Sequence, residues 1–238
     1  MEIKSRCLVV YGSETNQSKN ILKEIVDNWQ GSDALKFASF ELLQGDDAAA
    51  KFDDINASNY EFILVGTSSY GEGEAPSGFG KFLYKLQEAA VDEEKPLKGL
   101  QHAVIGFGST FYETFQNCPR LVDKYFGEAG SRRCLERAEI DEMDEEAETK
   151  TEEWANKVAE SCLQTGASGA SDDPVCKWND PEDLILMKKM GPDGYEIDNG
   201  MPDLGSSKLP IAVAVGVAVV AYYYFYVRTV DELGGDSS

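Results

Sequence analysis

Histidine is almost missing from this sequence: His102 is the one imidazole among 238 residues. Metal sites and nucleophilic triads built on histidine therefore have almost no material. The five cysteines, at positions 7, 118, 134, 162 and 176, are odd in number, scattered, and form no C-x-x-C pair. That pattern supports neither a disulfide framework nor a zinc site, and it fits a reducing compartment. Basic residues are scarce as well. Lys and Arg total 22 against 43 Asp and Glu, a formal net charge of −21. Such a balance excludes nucleic acid as a default partner and favours cationic protein surfaces. The opening MEIKSRCLVV has no long apolar core and no small-residue cleavage site, so it is not a secretory signal.

What the chain does have, over residues 1–163, is an alternation of strand-like and helix-like segments. Apolar runs at 7–11, 62–65 and 103–107 carry no polar alternation, and the first two end at Gly12 and Gly66. Weaker strands are expected near 35–42 and at 133–138. Between them, apolar residues recur at helical spacing: Leu22, Ile25, Val26 and Trp29; Phe79, Phe82, Leu83 and Leu86; Leu121, Val122, Tyr125 and Phe126; Trp154, Val158 and Leu163. Fully apolar strands separated by amphipathic helices indicate a parallel sheet covered on both faces. Five such units predict a doubly wound, five-stranded α/β domain. His102, opening the third run, reads as a solvated or capping residue, and Cys118 and Cys134 as small core residues. The acidic run 141–148 reads as a solvated face at a helix start.

Residues 164–208 turn to Gly, Ser, Pro and Asp and read as a flexible acidic linker. One island, 181–190, has the marks of a short helix, with Asp180 as N-cap, Pro181 in the first turn and Gly191 at the end. Residues 209–227 are then apolar without interruption, between Lys208 and Arg228. As a helix they would extend about 28 Å, close to the ~30 Å hydrocarbon thickness of a bilayer. Tyr222, Tyr223, Tyr224 and Tyr226 gather at one end, as an interfacial aromatic belt does. The expectation is a single-pass C-terminal anchor with the domain facing the cytosol. The tail 228–238 holds one basic residue, which points to the endoplasmic reticulum over organelle outer membranes.

In a doubly wound sheet, ligands bind where loops leave the carboxyl ends of the strands. Three such loops stand out. The first, Ser13, Glu14, Thr15, Asn16, Gln17 and Ser18, offers hydroxyls and helix-start amides to a phosphate without any Lys or Arg; the lysine-bearing P-loop pattern is absent. The second, Ser68, Ser69, Tyr70, Gly71 and Gly73, sets glycines beside an aromatic ring, so that backbone can approach a flat ligand. The third, Gly106, Phe107, Gly108, Ser109, Tyr112 and Phe115, does the same. Its G-x-G lacks a third glycine in register and is not a dinucleotide fingerprint. The three loops together suit a planar ring bearing one phosphate.

The motifs YGSETNQS, TSSYGEGEAP and GFGSTFYETF, followed by LVDKYFGEAG, resemble the flavodoxin-like FMN domains of diflavin reductases over about residues 5–163. The resemblance implies FMN as cofactor. It places the phosphate on residues 13–18, the ring between Tyr70 and Tyr112, backbone contacts at Gly71 and Gly73, and Phe115 in support of the third loop. Asp141 then matches the acidic position of the family's last loop. Three positions depart from the pattern: Asn16 in place of Gly, Ser109 in place of Asn, and a bulky Phe111. Asn is the residue best able to replace Gly at positive φ.

No nicotinamide- or FAD-binding region follows the domain, so the expected role is an electron carrier rather than a self-contained enzyme. It would take electrons from a separate NAD(P)H-dependent reductase and pass them singly to a membrane-associated, cationic-surfaced acceptor. Competing readings are an FMN-dependent quinone or nitro reductase and a flavin-free scaffold of the same fold. Carboxylates near the loops (Glu72, Glu74, Glu113, Asp141) disfavour anionic reduced flavin. One charge at about 10 Å and an effective dielectric of ~20 costs about 1.7 kcal/mol, roughly 70 mV for one electron.

Overall fold

The computed structural model describes residues 5–31, 38–163, 184–185, 187–191 and 194–197. Strands β1 (Ser5–Tyr11), β2 (Ala38–Gln44), β3 (Phe62–Ser68) and β4 (Gln101–Gly108) are the four main strands, all parallel. The fifth position is divided between β5 (Arg132–Arg133) and β6 (Ala138–Asp141), both parallel to β4. The order is β2-β1-β3-β4-β5. Chain order reverses between β1 and β3, so the crevice of this doubly wound sheet opens at their carboxyl ends.

Burial explains why the strands carry no alternation. Leu8, Val10, Ile63, Val65 and Val104 pack against one helical layer, α3 (Gly80–Val91) and α4 (Asn117–Glu128). Cys7, Val9, Leu64, Ala103 and Ile105 pack against the other, α1 (Gln17–Gly31) and α5 (Ala147–Val158). A short helix, α2 (Gly45–Ala49), follows β2. Phe79, fully buried, fills the space that Gly12 and Gly45 leave; a Cβ on either would lie 2.6 and 2.4 Å from its ring. Gly12 therefore lets the first loop, and Gly45 the start of α2, lie directly against the residue that precedes α3.

Four expectations are corrected. The last strand is not continuous over 133–138: residues 134–137 interrupt it. There Trp154 donates its indole N–H to the Glu136 carbonyl at 2.8 Å, and Cys134 forms a disulfide with Cys162, Cα atoms 5.9 Å apart. Such a bridge, 28 residues apart in sequence, is invisible to spacing rules; Cys134 is a core residue as expected, but the bridge corrects the expectation that the cysteines support no disulfide. Cys118 is free and buried. His102 is neither solvated nor a cap but fully buried, stacked on Phe126 at 5.1 Å between centroids. The expected helix over 181–190 gives way, at Met187–Gly191 (β7), to a strand antiparallel to Gly194–Ile197 (β8). The sequence G-P-D-G joining them is a turn signal that outweighs the helix-capping pattern. Residues 209–227, the expected membrane span, lie outside the described residues, among which no helix is long and apolar enough to cross a membrane.

Candidate functional site

The carboxyl ends of β1, β3 and β4 open into a cavity of about 300 Å³. The first loop contributes Ser13, Glu14, Thr15, Gln17 and Ser18, the second Ser68, Ser69, Tyr70 and Gly71, and the third Phe107, Gly108, Ser109, Tyr112 and Phe115. These are fourteen of the eighteen residues expected from the sequence. Thr114, Gln116 and Glu142 complete the wall. Among the described residues no Lys, Arg or His lines it, so an anion here would be held by hydroxyls and by the unpaired amides at the start of α1.

The four other expected residues sit around the cavity rather than on its wall. Asn16 has φ 64°, the left-handed conformation that its amide side chain tolerates, and its carbonyl accepts the Asn20 amide as α1 begins. Gly73 has φ 98°; its carbonyl accepts from Asn117 Nδ2 at 3.0 Å, and a Cβ would lie 2.8 Å from that nitrogen. Gly106 makes room for Gln116, whose Oε1 lies 1.6 Å from where its Cβ would be. Asp141 accepts from the Thr110 hydroxyl and from the Met143 amide at 3.0 Å, and these bonds hold its carboxyl below the usual range. It thereby fastens the third loop to the end of β6, while its neighbour Glu142 reaches the cavity.

The loops also fasten one another. Glu14 accepts from the Ser77 amide at 2.6 Å, joining the first loop to the second. Thr114 Oγ1 donates to the Gly71 carbonyl at 3.0 Å, joining the second to the third. Ser69 Oγ accepts the Cys118 amide at 3.0 Å and so satisfies one of the free donors at the start of α4. Asn117 ties the second loop and the chain's later segment together, since its Oδ1 also accepts the Ile185 amide at 2.8 Å. At the rim, Tyr70 is 58% and Tyr112 63% exposed. Two large aromatics left open on a braced rim offer flat faces for stacking.

Of the three wall residues not expected from the sequence, Gln116 is the one with unusual geometry. It is fully buried at φ 66°, and neither Nε2 nor Oε1 of its side chain has a hydrogen-bond partner. Leaving such an amide unsatisfied costs about 1–3 kcal/mol, and non-glycine residues rarely adopt that backbone. Both features concentrate at ligand sites. No signal in the sequence set it apart, since polar Thr114 and Asn117 lie close on either side.

The chain matches the family model described as Flavodoxin over residues 9–154. It is 35% identical over 153 residues to a bifunctional cytochrome P450/NADPH–P450 reductase of Bacillus cereus, covering 63% of this chain and 13% of that protein. It is 28% identical over 150 residues to methionine synthase reductase of Caenorhabditis elegans, covering 63% and 21%. The chain therefore spans about an eighth of the first relative's length and about a fifth of the second's. Among solved structures, a flavodoxin of Streptococcus pneumoniae TIGR4 superposes with a TM-score of 0.53 at 23% identity, covering 66% of this chain and 99% of that one. At that identity the likeness shows the fold alone.

Proposed function

We propose, because this chain belongs to the flavodoxin family, that it is an FMN-dependent electron-transfer protein tethered to a membrane. Members of the family bind FMN, and the cavity fits that group. The observation that carries the reading is the buried, unpartnered Gln116 amide in a wall flanked by two exposed tyrosines. Ser13, Thr15, Gln17, Ser18 and the adjoining amides would hold the phosphate. Tyr70 and Tyr112 would cover the ring, and Gln116 would pair with a polar atom of the ligand. When bound, FMN supplies one- and two-electron chemistry; the protein supplies binding, orientation and electrostatics. Glu14 and Glu142 put carboxylates on the cavity wall, which disfavours added electron density there.

The related regions in the reductases named above are parts of much longer chains. We take the donor to be a separate NAD(P)H-dependent reductase and the acceptor a membrane-associated protein with a cationic surface. Residues 209–227 would provide the anchor, with the domain on the cytosolic side and the endoplasmic reticulum as the membrane. Flotation of the full chain with liposomes tests the tether; truncation after residue 208 should abolish it.

For the cofactor, the full chain should take up FMN and quench its fluorescence. Tyr70→Ala with Tyr112→Ala should weaken binding by at least tenfold, about 1.4 kcal/mol or more. A protein that binds no added FMN, or a double variant of unchanged affinity, sinks the reading.

A further inference from the structure

A second and larger cavity, about 550 Å³, lies between α1 and α5. We propose that it is a docking groove for a basic, amphipathic helix of a partner protein. Its shape supports this. The α1 wall runs from Gln17 to Trp29, about 18 Å at the rise of a helix. The opposite wall runs along α5 from Ala147 to Asn156, about 14 Å. Two helical walls of that length match a guest helix of about three turns better than a compact small molecule.

The lining is ordered by chemistry. The floor is apolar: Ile21, Ile25 and Trp29 from α1, Ala155 from α5, and Phe107 and Ile140 from the sheet. The rim is acidic: Glu24 on one side, Glu148 and Glu152 on the other, Glu142 at the end nearest the flavin cavity. All four carboxylates are exposed, and none has an ion-pair partner among the described residues. Among the described residues no Lys or Arg lines the groove. An apolar stripe flanked by Lys or Arg is complementary to that arrangement. A second copy of this chain, at a net charge of −21, is not. The described part of the later chain is engaged elsewhere: Leu184 packs on the α3/α4 layer and Ile185 on Asn117.

Gln17, Phe107 and Glu142 line both this groove and the flavin cavity. A helix seated here would thus lie beside the cofactor site. The inference needs the fold and its charges and stands whether or not FMN binds.

The probe is a fluorescent peptide of about 14 residues, close to four turns, with Leu on one face and Lys on its flanks. A scrambled peptide of equal composition is the control. Anisotropy is measured with the full chain in a non-ionic detergent at physiological salt, with empty micelles subtracted. The scrambled peptide should bind at least tenfold more weakly. So should the patterned peptide to the triple variant Glu24→Gln, Glu148→Gln, Glu152→Gln, whose exposed, near-isosteric changes leave the fold intact by circular dichroism. A photo-crosslinker on the apolar face should label residues 17–29 and 147–156. Equal affinity for the scrambled peptide, an unaffected triple variant, or labelling elsewhere overturns the proposal. So does a dimer in sedimentation that Ile21→Asn dissolves, which would assign the groove to a second copy.

Discussion

At Gln116 the fold tolerates what no isolated loop would choose, and two measurable quantities should move in opposite directions when it is replaced. Gln116→Leu removes an unsatisfied buried amide while keeping the side chain's bulk and the same φ. We expect the free protein to gain about 1–2 kcal/mol in urea unfolding and to lose at least tenfold in FMN affinity. Loss of both together would mean that the residue is only packing. Asn16 gives the converse case. Its φ of 64° was legible in advance, because Asn standing where Gly is usual implies a left-handed backbone. Asn16→Gly should leave unfolding within about 0.5 kcal/mol, whereas Asn16→Val, β-branched at positive φ, should cost about 1–2 kcal/mol. Gln116 escaped notice for a physical reason: nothing in a sequence marks a polar side chain as unpartnered until its neighbours are placed.

Among the elements, strands covered by helices on both faces announce themselves as apolar runs, and β1, β3 and β4 lie where those runs do. The divided fifth strand could not be read, because its break depends on partners remote in sequence. The Cys134–Cys162 bridge closes a loop of 28 residues, which in the chain-entropy account stabilises by about 3–4 kcal/mol. Cys162→Ser should cost that amount in non-reducing urea titrations, and adding a thiol reductant should bring the wild type to the same midpoint. A buried network binds the opposite end of the same elements. His102 lies 3.1 Å from Asp123 and 2.8 Å from Ser131, while Arg133 and Arg137 donate to Asp123 at 2.7 and 2.8 Å. Burial, the largest influence, holds the His102 pKa below its ordinary value against the pull of Asp123. The unfolded imidazole takes a proton near pH 6.5 and the folded one only at lower pH. Between those points the unfolded chain binds more protons, so stability must fall as pH drops through about 6.5. For Asp123, burial pushes upward, yet His102 and the two arginines leave the carboxyl below its usual range. Its contribution is present above the unfolded value of about 3.9 and is lost below it. Urea midpoints at pH 7.5 and 5.5 check the histidine's share: the wild type should lose stability between them, and His102→Gln should lose less.

For the whole molecule the governing quantity is charge. The chain carries −21, and the cavity and the α1/α5 groove are both edged by glutamates, with no cation on their walls among the described residues. A cationic electron acceptor, as proposed, would be drawn toward the face where the flavin would lie, at an encounter rate that depends on how far that field reaches. Raising ionic strength from about 0.1 to about 1 M shortens the Debye length from about 10 to about 3 Å. The second-order rate of electron transfer from the reduced, FMN-loaded full chain to a small basic redox protein should then fall by roughly tenfold or more. Transfer to an uncharged acceptor such as a quinone should be nearly unaffected. The contrast between the two acceptors separates steering from any effect of salt on the flavin itself, which would change both rates alike. Neutralising the rim with Glu24→Gln, Glu148→Gln and Glu152→Gln should flatten the salt slope for the basic acceptor alone. A slope that the triple variant leaves intact would place the docking face elsewhere on this acidic surface.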